Sequence, residues 1–570
     1  MNFFKNNENK KKILNIVTFD AELHLHGKIL QYIAEIGKPH FAEIFFLGCD
    51  GIFLNCLPKK NIELHRAAKV CEMCKIQQLT QKKKTNSSSQ IVNIDEKDAY
   101  LPHFIQIISE IEKADWNLTD CLNITYQGVE LVRSILWEFI IYTRVLDLKI
   151  GTEDRDYLCS LILDAVKLIF NMQKYFSRTK NHTFVAIDGN YALNAIVREF
   201  VILNGGNFNA VMLHPIDNYG FVKISLIPNR AIWNNNFFDQ IPNLSEKFSI
   251  IGIVSNLRAI SRRYKGLSDR VYHNSNSELE DKIIEFISIF RETRTFFLSS
   301  SEELTANYFS FNDYPNSLDA AKSQFEVIQD IIAKSYLAPS VGFIVRAHPR
   351  QGVSQNSKRV SFEWLEIENY LAKTSIPNNV LIIEPEMKIS SYWIALKTNF
   401  SYVFWSTLGL ELSLLGVTTI SLQPEVSFWG LNQFSEQPKN YQEAKETILK
   451  NHHYGKINTI QLLHWINSNL GAKWIELPII MPGTKNLFSL KFWIIRVLSK
   501  LNLTLRAFAA LNFIKNKISQ TLWIQKLHDI KIIIFFIKIF NHIKLLIAHT
   551  ILLIWAWRNK RMIINQSVHF

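Results

Sequence analysis

One repeated pattern limits what this chain can become: a short apolar, β-branched run, a turn, apolar positions at helical spacing, and a second short apolar run. ILNIVTFD (13–20), HGKILQYIAEIG (26–37) and FAEIFFLG (41–48) follow it, with Gly37 as the helix stop. TFVAIDGN (183–190), YALNAIVREFVILNGG (191–206) and NAVMLHP (209–215) repeat it. Runs this apolar suit strands covered on both faces, and a helix between successive strands makes them parallel. Between the two copies, Lys82 to Asn93 reads as a polar linker, and helical periodicity holds from about Leu101 to Phe176.

An Asn- and aromatic-rich stretch from Asp217 to about Glu280 interrupts the pattern, and a domain boundary is expected near there. The pattern then returns: TFFLSSSEE (295–303), a helix from Gln324 to Ala333, VGFIVRAHP (341–349), NVLIIEP (379–385), a helix over Ser391 to Lys397, SYVFWSTLGLELSLLG (401–416) and VTTISLQP (417–424). The expected fold is α/β, with two Rossmann-like domains facing a cleft and an α-helical amphipathic tail. Residues 1–280 form the first domain with a helical insertion, 281–485 the second, and 486–570 the tail. A ligand is expected where the carboxyl ends of the strands meet.

Composition adds a constraint on partners. With 48% hydrophobic residues among 570, the chain can bury large cores, which excludes a disordered or disulfide-scaffolded protein. Its net charge of +13 is confined to one end: from Lys491 onward 13 lysines and arginines face Asp529 alone, which leaves 51 basic against 50 acidic residues before it. Met1 to Lys12 is polar and basic, so no secretory signal is expected and the cysteines read as cytosolic thiols or metal ligands. Cys49, Cys56, Cys71 and Cys74 have a spacing that can close a structural zinc site. The alternative is a buried Cys49 and three ordinary thiols; Cys121 and Cys159 read as core.

Two segments carry chemistry. Ser406, Thr407, Gly409 and Glu411 follow the strand YVFW and open a helix, where unpaired N–H groups favour an anion. Gly409 is expected to let a ligand approach the backbone, and Glu411 to accept ribose hydroxyls; a plain Ser N-cap with a surface Glu is the alternative. Arg346 and His348, in VRAHP (345–349), stand at the end of a strand that Pro349 stops, where they suit a phosphate; a solvated loop His is the alternative.

With LSSSEE (298–303), Gln324 and IIEPEMKISSYW (382–393), these segments resemble the carboxyl-terminal half of GT-B glycosyltransferases of bacterial surface and capsule polysaccharide synthesis, of the capsule Kdo-transferase type. The resemblance covers roughly residues 295–425. It implies that His348, Ser406 and Thr407 hold the phosphate of a nucleotide-sugar donor, without a catalytic cofactor. The amino-terminal half matches only as a Rossmann-like pattern, and DGNY (188–191) lacks the Arg of the relatives' turn. The leaving phosphate gains charge in the transition state, so donors at His348, Arg346 and 406–409 would stabilise it without a metal. The acceptor hydroxyl needs a base; Asp20 is the first candidate and Asp188 the second, with Glu302 and Glu303 as alternatives. Turn or capping roles compete for both aspartates.

From Leu487 the chain alternates bases with Ile, Leu and Phe, and its longest uncharged stretch, Leu545 to Trp557, is too short for the roughly 20 residues a bilayer requires. The tail is expected to lie in a membrane interface, with Trp555, Trp557 and the Arg558, Lys560 and Arg561 cluster at the headgroups; a helical bundle on the body is the alternative, and a tilted transmembrane helix over 532–557 is less favoured. The leading expectation is a peripheral glycosyltransferase at the cytoplasmic face of the plasma membrane, using a nucleotide-sugar donor and a polysaccharide or lipid-linked acceptor. A CDP-polyol phosphotransferase of teichoic-acid type and a non-catalytic membrane scaffold are the alternatives. Nucleic acid is disfavoured because the tail's bases are embedded in aliphatics rather than interleaved with stacking aromatics. Removal of residues 486–570 is expected to abolish sedimentation with anionic liposomes and to leave nucleotide binding intact; undiminished liposome binding would contradict the interfacial reading.

Overall fold

A computed structural model describes residues 12–19, 24–59, 67–85, 89–94, 98–146, 148–176, 181–213, 222–228, 277–310, 324–353, 359–424, 430–450, 454–466 and 475–477. Met1–Lys485 pack as one compact unit; the second, Asn486–Phe570, holds the expected tail and lies outside the described residues. Among the described residues no helix is long and apolar enough to cross a membrane.

The strands are β1 Ile13–Val17, β2 Glu43–Cys49, β3 Ser89–Ile94, β4 Thr125–Tyr126, β5 Val129–Glu130, β6 His182–Ile187, β7 Asn207–Leu213, β8 Val222–Pro228, β9 Glu292–Phe297, β10 Val341–Arg346, β11 Val380–Ile383, β12 Phe400–Val403, β13 Thr419–Ser421 and β14 Ile475–Leu477. The helices are α1 His24–Gly37, α2 Ala67–Thr85, α3 Leu101–Lys113, α4 Leu118–Cys121, α5 Leu131–Thr143, α6 Thr152–Tyr175, α7 Ala192–Leu203, α8 Ser277–Ile289, α9 Ser301–Ser310, α10 Gln324–Ser335, α11 Phe362–Leu371, α12 Ser391–Lys397, α13 Leu408–Leu414, α14 Tyr441–Thr447 and α15 Thr459–Trp465.

The first sheet runs β14-β8-β7-β6-β1-β2-β3, and the second β11-β10-β9-β12-β13. Every pairing in the second sheet is parallel. In the first sheet β3, β2, β1, β6 and β7 are parallel, whereas β8 and β14 add antiparallel edges. Taken in chain order, the five parallel strands of each sheet have the order 3-2-1-4-5. The order reverses between β1 and β6 in one sheet and between β9 and β12 in the other, and these reversals open the crevices where such sheets take ligands.

Burial explains the strands. Leu14 and Ile16 of β1 pack with Ile29, Leu30 and Ile33 of α1 on one face, while Val17, Phe184 and Ala186 join the large core on the other. In the second sheet Phe296 of β9 stacks on Tyr402 of β12, with centroids 4.5 Å apart. The expected linker is not a linker: α2 extends to Thr85 and β3 pairs with β2 from Ser89. Among the described residues β3 stands at the sheet's edge, paired on one side alone, where a strand need not be a continuous apolar run. The run at 295–303 likewise splits, with β9 ending at Phe297 and α9 beginning at Ser301.

Side chains from helices around the first sheet reach the second sheet's elements. Trp137 of α5 donates to Asn307 Oδ1 of α9 at 3.1 Å, and Arg133 to Phe309 O at 3.1 Å. Arg359, just before α11, donates to the buried carboxylate of Asp154 in α6 at 2.7 Å and to Thr143 O. Arg359→Ala strands that carboxylate, so urea unfolding should show a loss of about 1–3 kcal/mol. Asp154→Asn in the same background should recover part of it, because the uncompensated charge is then gone; no loss in Arg359→Ala would show the pair to be energetically idle.

Candidate functional site

The loops at the two order reversals contain several of the residues singled out from sequence. In the first sheet, Asp188 ends the β6 strand in the left-handed region (φ 55°), its Oδ1 accepting from Asn190 N at 3.1 Å. The turn is held from below: Asn194 donates to Ile187 O and Arg198 to Gly189 O, both at 2.7 Å. Glu138 of α5 accepts from Ala192 N at 2.8 Å, which caps the start of α7. Burial, reinforced by the charges of Asp188 and Glu138, pushes the Tyr191 phenol far above its ordinary range. Asp20 lies outside the described residues. Asn190 was not singled out from sequence; it is 1% exposed, and neither amide atom has a hydrogen-bond partner among the described residues.

In the second sheet the loop after β9 is a built network. Gln324 accepts from Ser299 N at 2.5 Å through Oε1, and its Nε2 donates to Ser299 O and Ser301 Oγ, both at 2.9 Å. Gln324 N and Nε2 also donate to the Glu363 carboxylate, at 2.8 and 2.5 Å, and Ser301 Oγ does so as well. Desolvation raises the Glu363 carboxyl to about 7 despite those donors, and the charge of Glu302 adds to the rise. Glu302 is 3% exposed; one oxygen accepts from Ser300 Oγ at 2.7 Å and the other, Oε1, has no hydrogen-bond partner among the described residues. Glu303 pairs with Arg350 at a half-exposed position.

His348 opens the turn after β10. Its Nδ1 accepts from Arg350 N at 3.1 Å, which leaves the proton of the neutral ring on Nε2, a donor. Its own N–H donates to Gln351 Oε1 at 2.8 Å. Arg346 does not join it. That side chain is 1% exposed and donates to Glu384 O at 2.5 Å and Met387 O at 3.0 Å, so it fastens the loop after β11 rather than facing a phosphate. Burial lowers its guanidinium to about 10, against the opposing charge of Glu386.

Ser406 and Thr407 stand at the β9/β12 reversal, after β12. Ser406 Oγ accepts from Leu408 N at 3.2 Å, and Thr407 makes no side-chain cap to the short helix α13. Gly409 and Glu411 differ from expectation. A Cβ on Gly409 would meet Val403 Cγ2 at 3.0 Å and Leu431 Cδ1 at 3.1 Å, so the missing side chain serves helix-on-strand packing rather than ligand approach. Glu411 is 1% exposed and accepts from Tyr392 OH, an interior pairing unlike the solvent-facing acceptor expected for ribose.

The four cysteines come from the end of β2, the loop after it and one face of α2, and Cys71 Sγ lies 3.2 Å from where a Gly51 Cβ would stand. Burial pushes the Cys49 thiol to about 11 and that of Cys56 to about 12, favouring S–H over the thiolate that a metal needs. Among the described residues no group of three or more His, Cys, Asp or Glu is placed to hold a metal ion.

No family model matches the chain. Nor does any curated protein. Solved structures similar to it include the β-Kdo 2,4 transferase of Thermosulfurimonas dismutans KpsC, at 13% identity and TM-score 0.31 over 50% of this chain and 78% of that one. UDP-GlcNAc 2-epimerase from Neisseria meningitidis bound to UDP-GlcNAc aligns at 10% identity and TM-score 0.24 over 86% and 100%. The spinosyn rhamnosyltransferase SpnG complexed with thymidine diphosphate aligns at 9% and 0.24 over 80% and 96%. Likenesses this distant carry no argument about activity, which rests on the site.

Glu363 gives the site a pH signature. Its carboxyl titrates higher folded, at about 7, than unfolded, near 4.5, so the folded state holds the extra proton between those values. Stability from this group is present below about pH 4.5 and is lost as pH rises through about 7, by roughly 3–4 kcal/mol in total. Glu363→Gln should flatten that part of the melting-temperature profile; parallel profiles for the two proteins would contradict the assignment.

Proposed function

We propose that this protein is a glycosyltransferase that moves a sugar from a nucleotide-sugar donor to a lipid-linked or growing surface polysaccharide. The observation that carries the reading is that His348, Ser406, Thr407 and the Ser299–Glu303 loop all lie at the carboxyl edge of one parallel sheet, around its order reversal. That edge is where such sheets take phosphorylated ligands. In this reading the first-sheet half is the acceptor side and the second-sheet half the donor side, as in the GT-B arrangement.

The chemistry follows from what these side chains can donate and accept. The bond between the anomeric carbon and the phosphate oxygen breaks, and its electron pair stays on the phosphate. His348 Nε2–H and the hydroxyls of Ser406 and Thr407 stabilise the charge gained there. The acceptor hydroxyl forms the new bond to the anomeric carbon and gives its proton to a carboxylate: Asp188 or Asp20 on the first-sheet side, Glu302 or Glu303 on the second. The tail, with its 13 bases, keeps the enzyme on an anionic membrane at the cytoplasmic face, where a lipid-linked acceptor is presented.

A thermal-shift screen with CMP, UDP, GDP and a CDP-linked polyol tests the reading, since a ligand that binds only the folded state raises the unfolding midpoint. One nucleotide is expected to stabilise the protein by several degrees, and His348→Ala and Ser406→Ala/Thr407→Val to remove the effect. Stabilisation by the CDP-linked polyol alone would favour polyol-phosphate transfer. No response to any of them, or one indifferent to both substitutions, would overturn the proposal.

A further inference from the structure

The turn after β10 carries more positive charge than the reading above uses. Arg350 lies two residues after His348, half-exposed and paired with Glu303. A second guanidinium arrives from the other set of helices: Arg144, the left-handed cap of α5 (φ 64°), donates through Nη1 to Gly352 O at 2.7 Å. The five residues 348–352 are thus bordered by two arginines of different origin, with the imidazole of His348 at their start.

Like charges this close repel, and something must offset them. The Arg144 guanidinium is held below its ordinary value by burial first; Arg350 adds to the lowering and Glu302 opposes it. Carboxylates offset them: Glu303 pairs with Arg350, Glu302 acts on Arg144, and the Glu386 carboxylate lies beside Gly352, while Glu302 Oε1 has no hydrogen-bond partner among the described residues. In the same turn Gln351 is fully buried, and its Nε2 likewise has none. Two forked cations, an imidazole donor and an orphaned amide donor around one turn can receive the oxygens of an anion that takes the place of a carboxylate there, and a guanidinium fork matches a phosphate by geometry as well as charge.

We propose that Arg144 and Arg350, with His348, clamp the phosphate of the nucleotide donor from two sides, Arg144 from the helices of the first sheet and Arg350 from the second. This rests on the nucleotide-sugar reading above and adds the residues that complete its phosphate site. Arg346, buried on carbonyls, is replaced in that role by Arg350. A phosphate with two negative charges satisfies both arginines, whereas Glu303 reaches one, so the incoming anion competes with Glu303 for Arg350. Because one arginine comes from each set of helices, occupancy ties the two sets together at the reacting end of the donor.

Titration calorimetry of CMP, UDP, GDP and CDP with the full chain and three variants tests the clamp. Arg350→Gln and Arg144→Lys, the second keeping the charge but losing the fork, should each weaken the nucleotide that binds by about tenfold or more. Glu303→Gln removes the competitor and should tighten it, an effect that a damaged fold does not produce. If both arginine variants bind as tightly as the parent while His348→Ala loses binding, the clamp is wrong and the nucleotide reading stands. Looser binding in Glu303→Gln would also count against it. If the parent binds none of the four, the nucleotide reading itself fails.

Discussion

Parallel pairing is the constraint on which the described structure depends. It forces every crossover onto a face of the sheet, covers both faces, and sends all the strand carboxyl ends to one edge. With the order 3-2-1-4-5 in each sheet, successive connections leave in opposite directions from β1 and β6, and from β9 and β12. The crevices so formed are lined by loops that need not pack and can therefore carry polar residues. That is why Asp188, Ser299, Glu302 and Ser406 stand where they do, although they come from distant parts of the chain.

Within the site, polarity is divided between holding and reaching. Gln324, Glu363, Arg346 and Glu138 spend their hydrogen bonds on backbone and neighbouring side chains and fix the loops. His348, Arg350 and Glu303 stand at or near the surface of those loops. The holding groups are the more buried, so losing a partner is expensive there, and the raised Glu363 carboxyl reflects the cost of desolvating its charge.

Much of the fold was legible because covered parallel strands are continuous apolar runs. Strands β1, β2, β6, β7, β10 and β11 begin and end close to where the patterns do. Away from the central parallel strands the signal fades: β3, at the sheet's edge, read as a linker, and the antiparallel β8, inside an irregular stretch, went unseen. The motif residues were legible as types but not as roles. Arg346 and Glu411 sit in phosphate- and ribose-like contexts, yet both side chains turn inward: alternation along β10 decides this for Arg346, and the buried face of α13 for Glu411. Gly409 was read as a ligand approach, but its neighbours Val403 and Leu431, one of them 22 positions away, require the space.

The sequence by itself determined that two parallel sheets form, where their phosphate-suited loops fall, and that the charge is concentrated after Lys491, because these follow from local pattern and count. Only the tertiary structure decided which side chains share a space. Arg144 has no local signature, since it is one cation at a helix end, and its place beside Gly352 arises from how the helices of the first sheet meet the loops of the second. Asn190, Gln351 and Glu363 are likewise ordinary residues in sequence. What distinguishes them is burial with or without partners, which for Glu363 depends on residues 39 and 62 positions away, and no pattern along the chain encodes it.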